Sequence, residues 1–167
     1  GKYSIYTTLV DRRLEGRAFT NVVFVADRPE GPWSEPIPLG LYGYIDPGHV
    51  VDQEGNRYLY LSKGAVVRLN AEGTAPVGEV VQVYEGWEYP EDWVVECFCL
   101  ESPKLFFRDG WYYLVSAQGG TVGPATSHMA VVSRSREVLG PWENSPHNPL
   151  IRTVSRDQTW WSVGHAT

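Results

Sequence analysis

Asp46 and Glu101 are the residues best placed for chemistry, because each leads into a strand-like run and one period of the chain's own repetition separates them; His165 joins them as a further candidate. Asp46 lies in Ile45-Asp46-Pro47-Gly48-His49-Val50. Glu101 lies one repeat further on, in Leu100-Glu101-Ser102-Pro103-Lys104-Leu105. Val163-Gly164-His165-Ala166 opens what reads as the next unit, with an imidazole in the corresponding place. Converging carboxylates can share acid–base work. In glycoside hydrolysis one carboxylic acid protonates the leaving oxygen and a carboxylate activates water or attacks the sugar. Crowding also raises the pKa of one acid and keeps it protonated near neutral pH. Taken singly, Asp-Pro and Glu-Ser-Pro are ordinary turn chemistry; the shared register is what favours function.

The elements that must hold these residues repeat. Gly1-Lys2-Tyr3-Ser4-Ile5-Tyr6, Gly55-Asn56-Arg57-Tyr58-Leu59-Tyr60 and Gly110-Trp111-Tyr112-Tyr113-Leu114-Val115 share one pattern, and their glycines follow at nearly equal intervals. The last two follow acidic turns, where glycine supplies the positive φ of a tight hairpin. Gly31-Pro32-Trp33 and Gly140-Pro141-Trp142 stand two such intervals apart, with Glu85-Gly86-Trp87 as a degenerate copy between them. Each full copy follows an alternating run, Val22 to Ala26 or Met129 to Ser133. A unit of about 55 residues made of short strands fits a β-propeller blade. Helical periodicity is weak, with one turn at most from Arg134 to Leu139. The fold class is therefore all-β, a propeller of which the chain covers roughly three blades.

These residues resemble glycoside hydrolase family 43. Asp46-Pro47 with the run Asp52 to Leu59 is similar to the family's second-acid strand. Glu101-Ser102-Pro103-Lys104-Leu105-Phe106, Asp109 to Leu114 and Gly119-Gly120-Thr121 are similar to its general-acid blade. Ser133-Arg134-Ser135, Gly140-Pro141-Trp142-Glu143, Asn148-Pro149-Leu150 and Gly164-His165-Ala166 continue the match. The resemblance implies a five-bladed propeller and an inverting glycosidase acting on xylose- or arabinose-containing plant polysaccharide. Glu101 would be the general acid and Asp46 the carboxylate that tunes it. His165 would lie at the sugar subsite or near the axis, where some members hold Ca²⁺; no cofactor is required. The family's base, an Asp on the first blade, would lie upstream. The chain would then be part of one catalytic domain, lacking the first blade and most of the last.

Two departures qualify the match. The family more often has Glu-Gly-Pro-His where this chain has Glu101-Ser102-Pro103-Lys104. Glu96-Cys97 resembles the Glu-Cys pair of the invertase-type family 32, but Glu96 is out of repeat register and Phe98, not Pro, follows Cys97. An invertase-like glycosidase and a non-catalytic carbohydrate-binding propeller are the alternatives.

The remaining candidates are weaker. Trp33 and Trp142 read as blade packing. Trp87, Trp93, Trp160 and Trp161 precede the active strands, and an indole face suits sugar stacking as well as packing; Trp93 is preferred for its nearness to Glu101. Thr121 and His128 are candidate pocket residues, and His49 reads as packed. Cys97 and Cys99, the two cysteines, read as free buried thiols, a bond between strand neighbours at that spacing being strained. The net charge of −6 without a basic stripe argues against nucleic acid. No apolar run approaches the ~18 residues of a membrane helix. Seven Trp and ten Tyr suit a neutral carbohydrate partner. Oligomeric state and compartment are not legible in the sequence.

Overall fold

The computed structural model describes residues 1–10, 13 and 19–166. The chain forms three antiparallel sheets in succession. The first runs β1 (Tyr3–Val10), β2 (Phe19–Ala26) and β3 (Ile37–Tyr42). The second runs β4 (Gly48–Val51), β5 (Arg57–Tyr60), β6 (Ala65–Leu69) and β7 (Pro76–Gln82). The third runs β8 (Leu100–Arg108), β9 (Trp111–Gln118), β10 (Met129–Ser135) and β11 (Glu143–Asn144), with β12 (Ile151–Arg152) also paired to β10. Among the described residues there is no α-helix; one 3-10 turn, Ser62–Gly64, joins β5 to β6. The all-β propeller expectation holds, each sheet a meander as a blade requires.

Local chemistry explains the hairpins. Asp109 and Gly110 both have positive φ, 50° and 78°, the two-residue turn whose twist matches paired strands. The corresponding turn from β4 to β5 is longer. There Asp52 accepts hydrogen bonds from the Glu54 and Asn56 amides at 2.9 and 2.8 Å, and Gly55 takes φ 87°.

Alternation along the second sheet fixes the packing. Leu59, Leu61, Ala65, Val67 and Leu69 join Val23, Leu39 and Leu41 of the first sheet in one core. Tyr60 and Val66, the intervening residues, join Leu100, Tyr112 and Leu114 of the third sheet in another. Period-2 geometry sends successive side chains to opposite faces, so the middle sheet is buried on both. Full burial of one such side chain contributes about 1.5–3 kcal/mol. The Gly-Pro-Trp turns behave alike. Both glycines are left-handed and both Gly–Pro bonds cis, and Trp142 packs edge-on against Tyr60 at 6.1 Å. Gly86 has the same left-handed backbone (φ 93°) but packs on Phe98 and Gln118 instead.

Candidate active site

The strands that begin the second and third sheets start beside one another. Asp46 lies just before β4 and Glu101 is the second residue of β8. Oxygens of Asp46 and Glu101 and a ring nitrogen of His165 lie within 4.8 Å of one another. Asp46 Oδ2 accepts from the Ser102 backbone amide at 3.3 Å and lies 3.1 Å from His165 Nε2. The three sequence-predicted residues are thus brought together.

Their register differs from the one inferred from glycine spacing. His49 sits opposite Leu59, and Leu105 opposite Leu114. The step from His49 to Leu105 on the incoming strands is therefore one residue longer than the step from Leu59 to Leu114 on the outgoing ones. The hairpin loops differ in length, so glycine spacing does not transmit to the strand before the turn. The backbone counterpart of Asp46 is Ser102, and Glu101 lies one residue earlier, where a bulge follows in β8. The backbone bears this out: Asp46 and Ser102 are both left-handed, φ 56° and 49°, and both precede proline. His165 has φ 51° as well. Strained non-glycine backbone of this kind gathers at functional sites.

The electrostatics separate the two acids. Burial, then the Asp46 carboxylate, then Glu96 push the Glu101 carboxyl above its ordinary range, and His165 opposes them. His128 is 2% exposed, its ring 6.0 Å from that of His165 and directly beneath Gly164, where a β-carbon would lie 2.6 Å from it. Burial lowers its pKa, and its Nε2 has no hydrogen-bond partner among the described residues. His128 therefore underlies the backbone before His165 without reaching solvent. The cluster suits Ca²⁺ poorly. That cation takes six to eight oxygens, and the cluster offers two carboxylates and an imidazole.

The other candidates make contacts of their own. Trp93 lies under the Arg152 guanidinium, 3.5 Å from its ring centroid, stacks with Tyr89 at 6.5 Å and meets Trp87 edge-on at 5.8 Å. Thr121 is exposed on the loop that joins β9 to β10. Glu96 anchors that loop, accepting from the Val122 and Gly123 amides at 2.8 and 2.6 Å. Trp160 and Trp161 are exposed, and Trp161 Nε1 donates to the Arg156 and Gln158 carbonyls. His49 stacks on Tyr6 at 5.0 Å.

One expectation is overturned. Cys97 and Cys99 are neither free nor buried: they form a disulfide and are both half-exposed. Such a bond is strained in a regular strand, whereas both cysteines precede β8 in irregular chain. Their α-carbons are 5.2 Å apart, inside the range a disulfide spans. No pattern in the sequence marked this bond or the left-handed backbone at Ser102.

Fold and cluster together define the class: a propeller-type protein with two carboxylates and a histidine converging where its sheets begin. The whole chain, residues 1–167, matches the model for glycosyl hydrolases family 43, and the chain belongs to that family. It is 36% identical over 161 residues to a xylan 1,3-β-xylosidase of a Vibrio species, across 89% of this chain and 28% of that protein. A xylosidase/arabinosidase of Butyrivibrio fibrisolvens is 31% identical over 163 residues, across 87% of this chain and 30% of that one. The crystal structure of a mutant of the family-43 protein BlXynB from Bacillus licheniformis matches at TM-score 0.84 and 33% identity. That match covers 99% of this chain and 31% of the other. The chain thus spans about 30% of the length of these relatives.

Proposed function

We propose that the intact protein is an inverting glycosidase that cleaves xylose or arabinose units from plant polysaccharides or oligosaccharides. Glu101 is its general acid and Asp46 the carboxylate that keeps the acid protonated. The observation that carries this reading is the contact of Glu101 with Asp46 and His165, every donor atom within 4.8 Å of the others. Glu101 carries its proton to higher pH for the reasons given above and delivers it to the glycosidic oxygen as that bond breaks. A base on the opposite face of the sugar takes a proton from water, whose oxygen bonds to the anomeric carbon. Asp46 does not fit that second role. An inverting pair stands about 6.5–9.5 Å apart to admit the water, and Asp46 is too close to Glu101. Glu96, the other carboxylate that Glu101 feels, is committed to the 122–123 amides. The family resemblance implies that the base is an Asp on the propeller's first blade. The xylosidase and arabinosidase relatives support the choice of sugar.

Hydrolysis of aryl β-xylosides and α-arabinofuranosides by the intact protein is the test. Glu101→Gln should lower kcat/KM by about 10²–10⁴ where the leaving group is poor, and far less for a dinitrophenyl glycoside, whose departure needs no proton. An unaffected Glu101→Gln variant would remove the assignment of the acid. Sugar binding by wild-type protein without turnover would point to a non-catalytic propeller.

A further inference from the structure

Asp46 occupies the left-handed region, where a β-carbon costs roughly 1–2 kcal/mol, less for Asp than for most residues. Something must hold it there, and the support comes from the first sheet. The Asp46 amide donates to Thr8 Oγ1 at 3.1 Å. Thr8 Oγ1 in turn donates to Asn21 Oδ1 at 3.1 Å. Asn21 is 0% exposed, and its Nδ2 donates to the carbonyls of Leu41 and Tyr44 at 3.0 and 2.9 Å.

The direction of every bond in this relay is fixed. Two carbonyls can only accept, so they set which end of the Asn21 amide is the nitrogen. Its oxygen then requires the Thr8 proton, and the hydroxyl is left to accept from Asp46. One residue away, Ile45 is tied to the second sheet: its amide donates to Ser62 Oγ at 2.9 Å, and its carbonyl accepts from the Ser62 amide at 3.0 Å. The Asp46 carboxylate itself meets Ser102 and His165. The Asp46 backbone is thus set by the first sheet while its side chain acts beside the third.

Resting on the glycosidase reading above, we infer that Thr8 and Asn21 are positioning residues that fix where the Asp46 carboxylate stands relative to Glu101. Neither touches the reacting atoms. Thr8→Val keeps the shape and removes the hydroxyl that both accepts from Asp46 and donates to Asn21. A displaced Asp46 carboxylate no longer favours the protonated acid, so Glu101 loses its proton at lower pH.

The test is the pH profile of kcat/KM for the intact enzyme on a glycoside with a poor leaving group. Thr8→Val should move the alkaline limb toward acid, lowering kcat/KM about threefold or more one unit above the wild-type midpoint, while the acid-side plateau stays within about twofold. Thr8→Ser should restore the wild-type limb. In an Asp46→Asn background Thr8→Val should add no further shift. Should Thr8→Val not fold, Thr8→Ala carries the same comparison. Hydrogen exchange of the wild-type Asp46 amide, expected to be strongly protected, needs no variant. A Thr8→Val profile that superposes on wild type, a uniform loss at every pH, or a freely exchanging Asp46 amide would overturn the inference. If Glu101→Gln leaves the alkaline limb in place, the assignment of Glu101 as the acid has failed instead, whatever Thr8 does.

Discussion

The second and third sheets begin with the same backbone and use it differently. Asp46-Pro47-Gly48 and Ser102-Pro103-Lys104 are counterparts in strand register, and the first residue of each is left-handed. In the second sheet that residue carries the carboxylate. In the third it is a buried serine that gives its amide to Asp46, and the carboxylate belongs to the residue before it. Two acids placed at identical positions of neighbouring sheets would have equivalent surroundings. A one-residue offset gives them different ones: Asp46 takes two hydrogen-bonding partners, and Glu101 takes burial and a like charge. On the proposed reading, Glu101 has the surroundings that keep a carboxyl protonated.

The third residue of each triplet tests this most severely. A β-carbon on Gly48 would lie 1.9 Å from the Pro103 carbonyl oxygen, so the two sheets touch at that point. The backbone of Gly48 is not left-handed, and space alone requires the glycine. Lys104, its counterpart, carries a full side chain, with Nζ 3.3 Å from Ser102 Oγ. Gly48→Ala should destabilise the intact protein by about 1–3 kcal/mol through overpacking and lower activity by parting Asp46 from Glu101. Lys104→Ala should stay within about 0.5 kcal/mol. Denaturant unfolding of the two variants measures the difference, and equal effects would break the comparison.

A smaller effect sharpens it. Ser102 is 1% exposed with φ 49°, so a β-branched residue there pays for the backbone as well as for its fit. Ser102→Val should cost about 1–2 kcal/mol. Ser102→Gly, for which that backbone is free of strain, should stay within about 1 kcal/mol. Valine as well tolerated as glycine, in thermal melts of both variants, would show that the left-handed backbone is not a constraint shared with Asp46.

Much of this was legible from the residues. The repeated aromatic runs gave the sheets, because short alternating strands and glycine turns leave few other architectures. Asp46, Glu101 and His165 were legible because they sit where repeated units begin. The route to them was only partly sound, since glycine spacing follows the outgoing strands and the acids lie on the incoming ones. Thr8 and Asn21 were not legible. Their role depends on contacts between sheets far apart in the chain, and isolated Thr and Asn in a strand carry no signature. The Cys97–Cys99 bond escaped because its feasibility turns on irregular backbone that periodicity does not reveal.

The mildest consequence follows from Glu101 being the acid with the displaced titration. Its folded-state pKa lies above its unfolded one, so between the two values the native protein holds a proton that the unfolded chain has released. Stability then falls as pH rises through that window, and is level below and above it. Glu101→Gln cannot titrate and escapes the loss. The stability of the variant relative to wild type should therefore climb from the ordinary carboxyl range upward and then plateau. Glu101 is half-exposed and solvent screens the interaction, so the climb should stay below about 1 kcal/mol. Urea midpoints across a pH series would show it, and a flat or falling difference would contradict it. Burial is the larger cause of the displacement and Asp46 the second, so Asp46→Asn should shrink the climb without abolishing it. Were the climb to vanish in that background, the Asp46 charge alone would displace the titration, and the partial burial of Glu101 would have no energetic role.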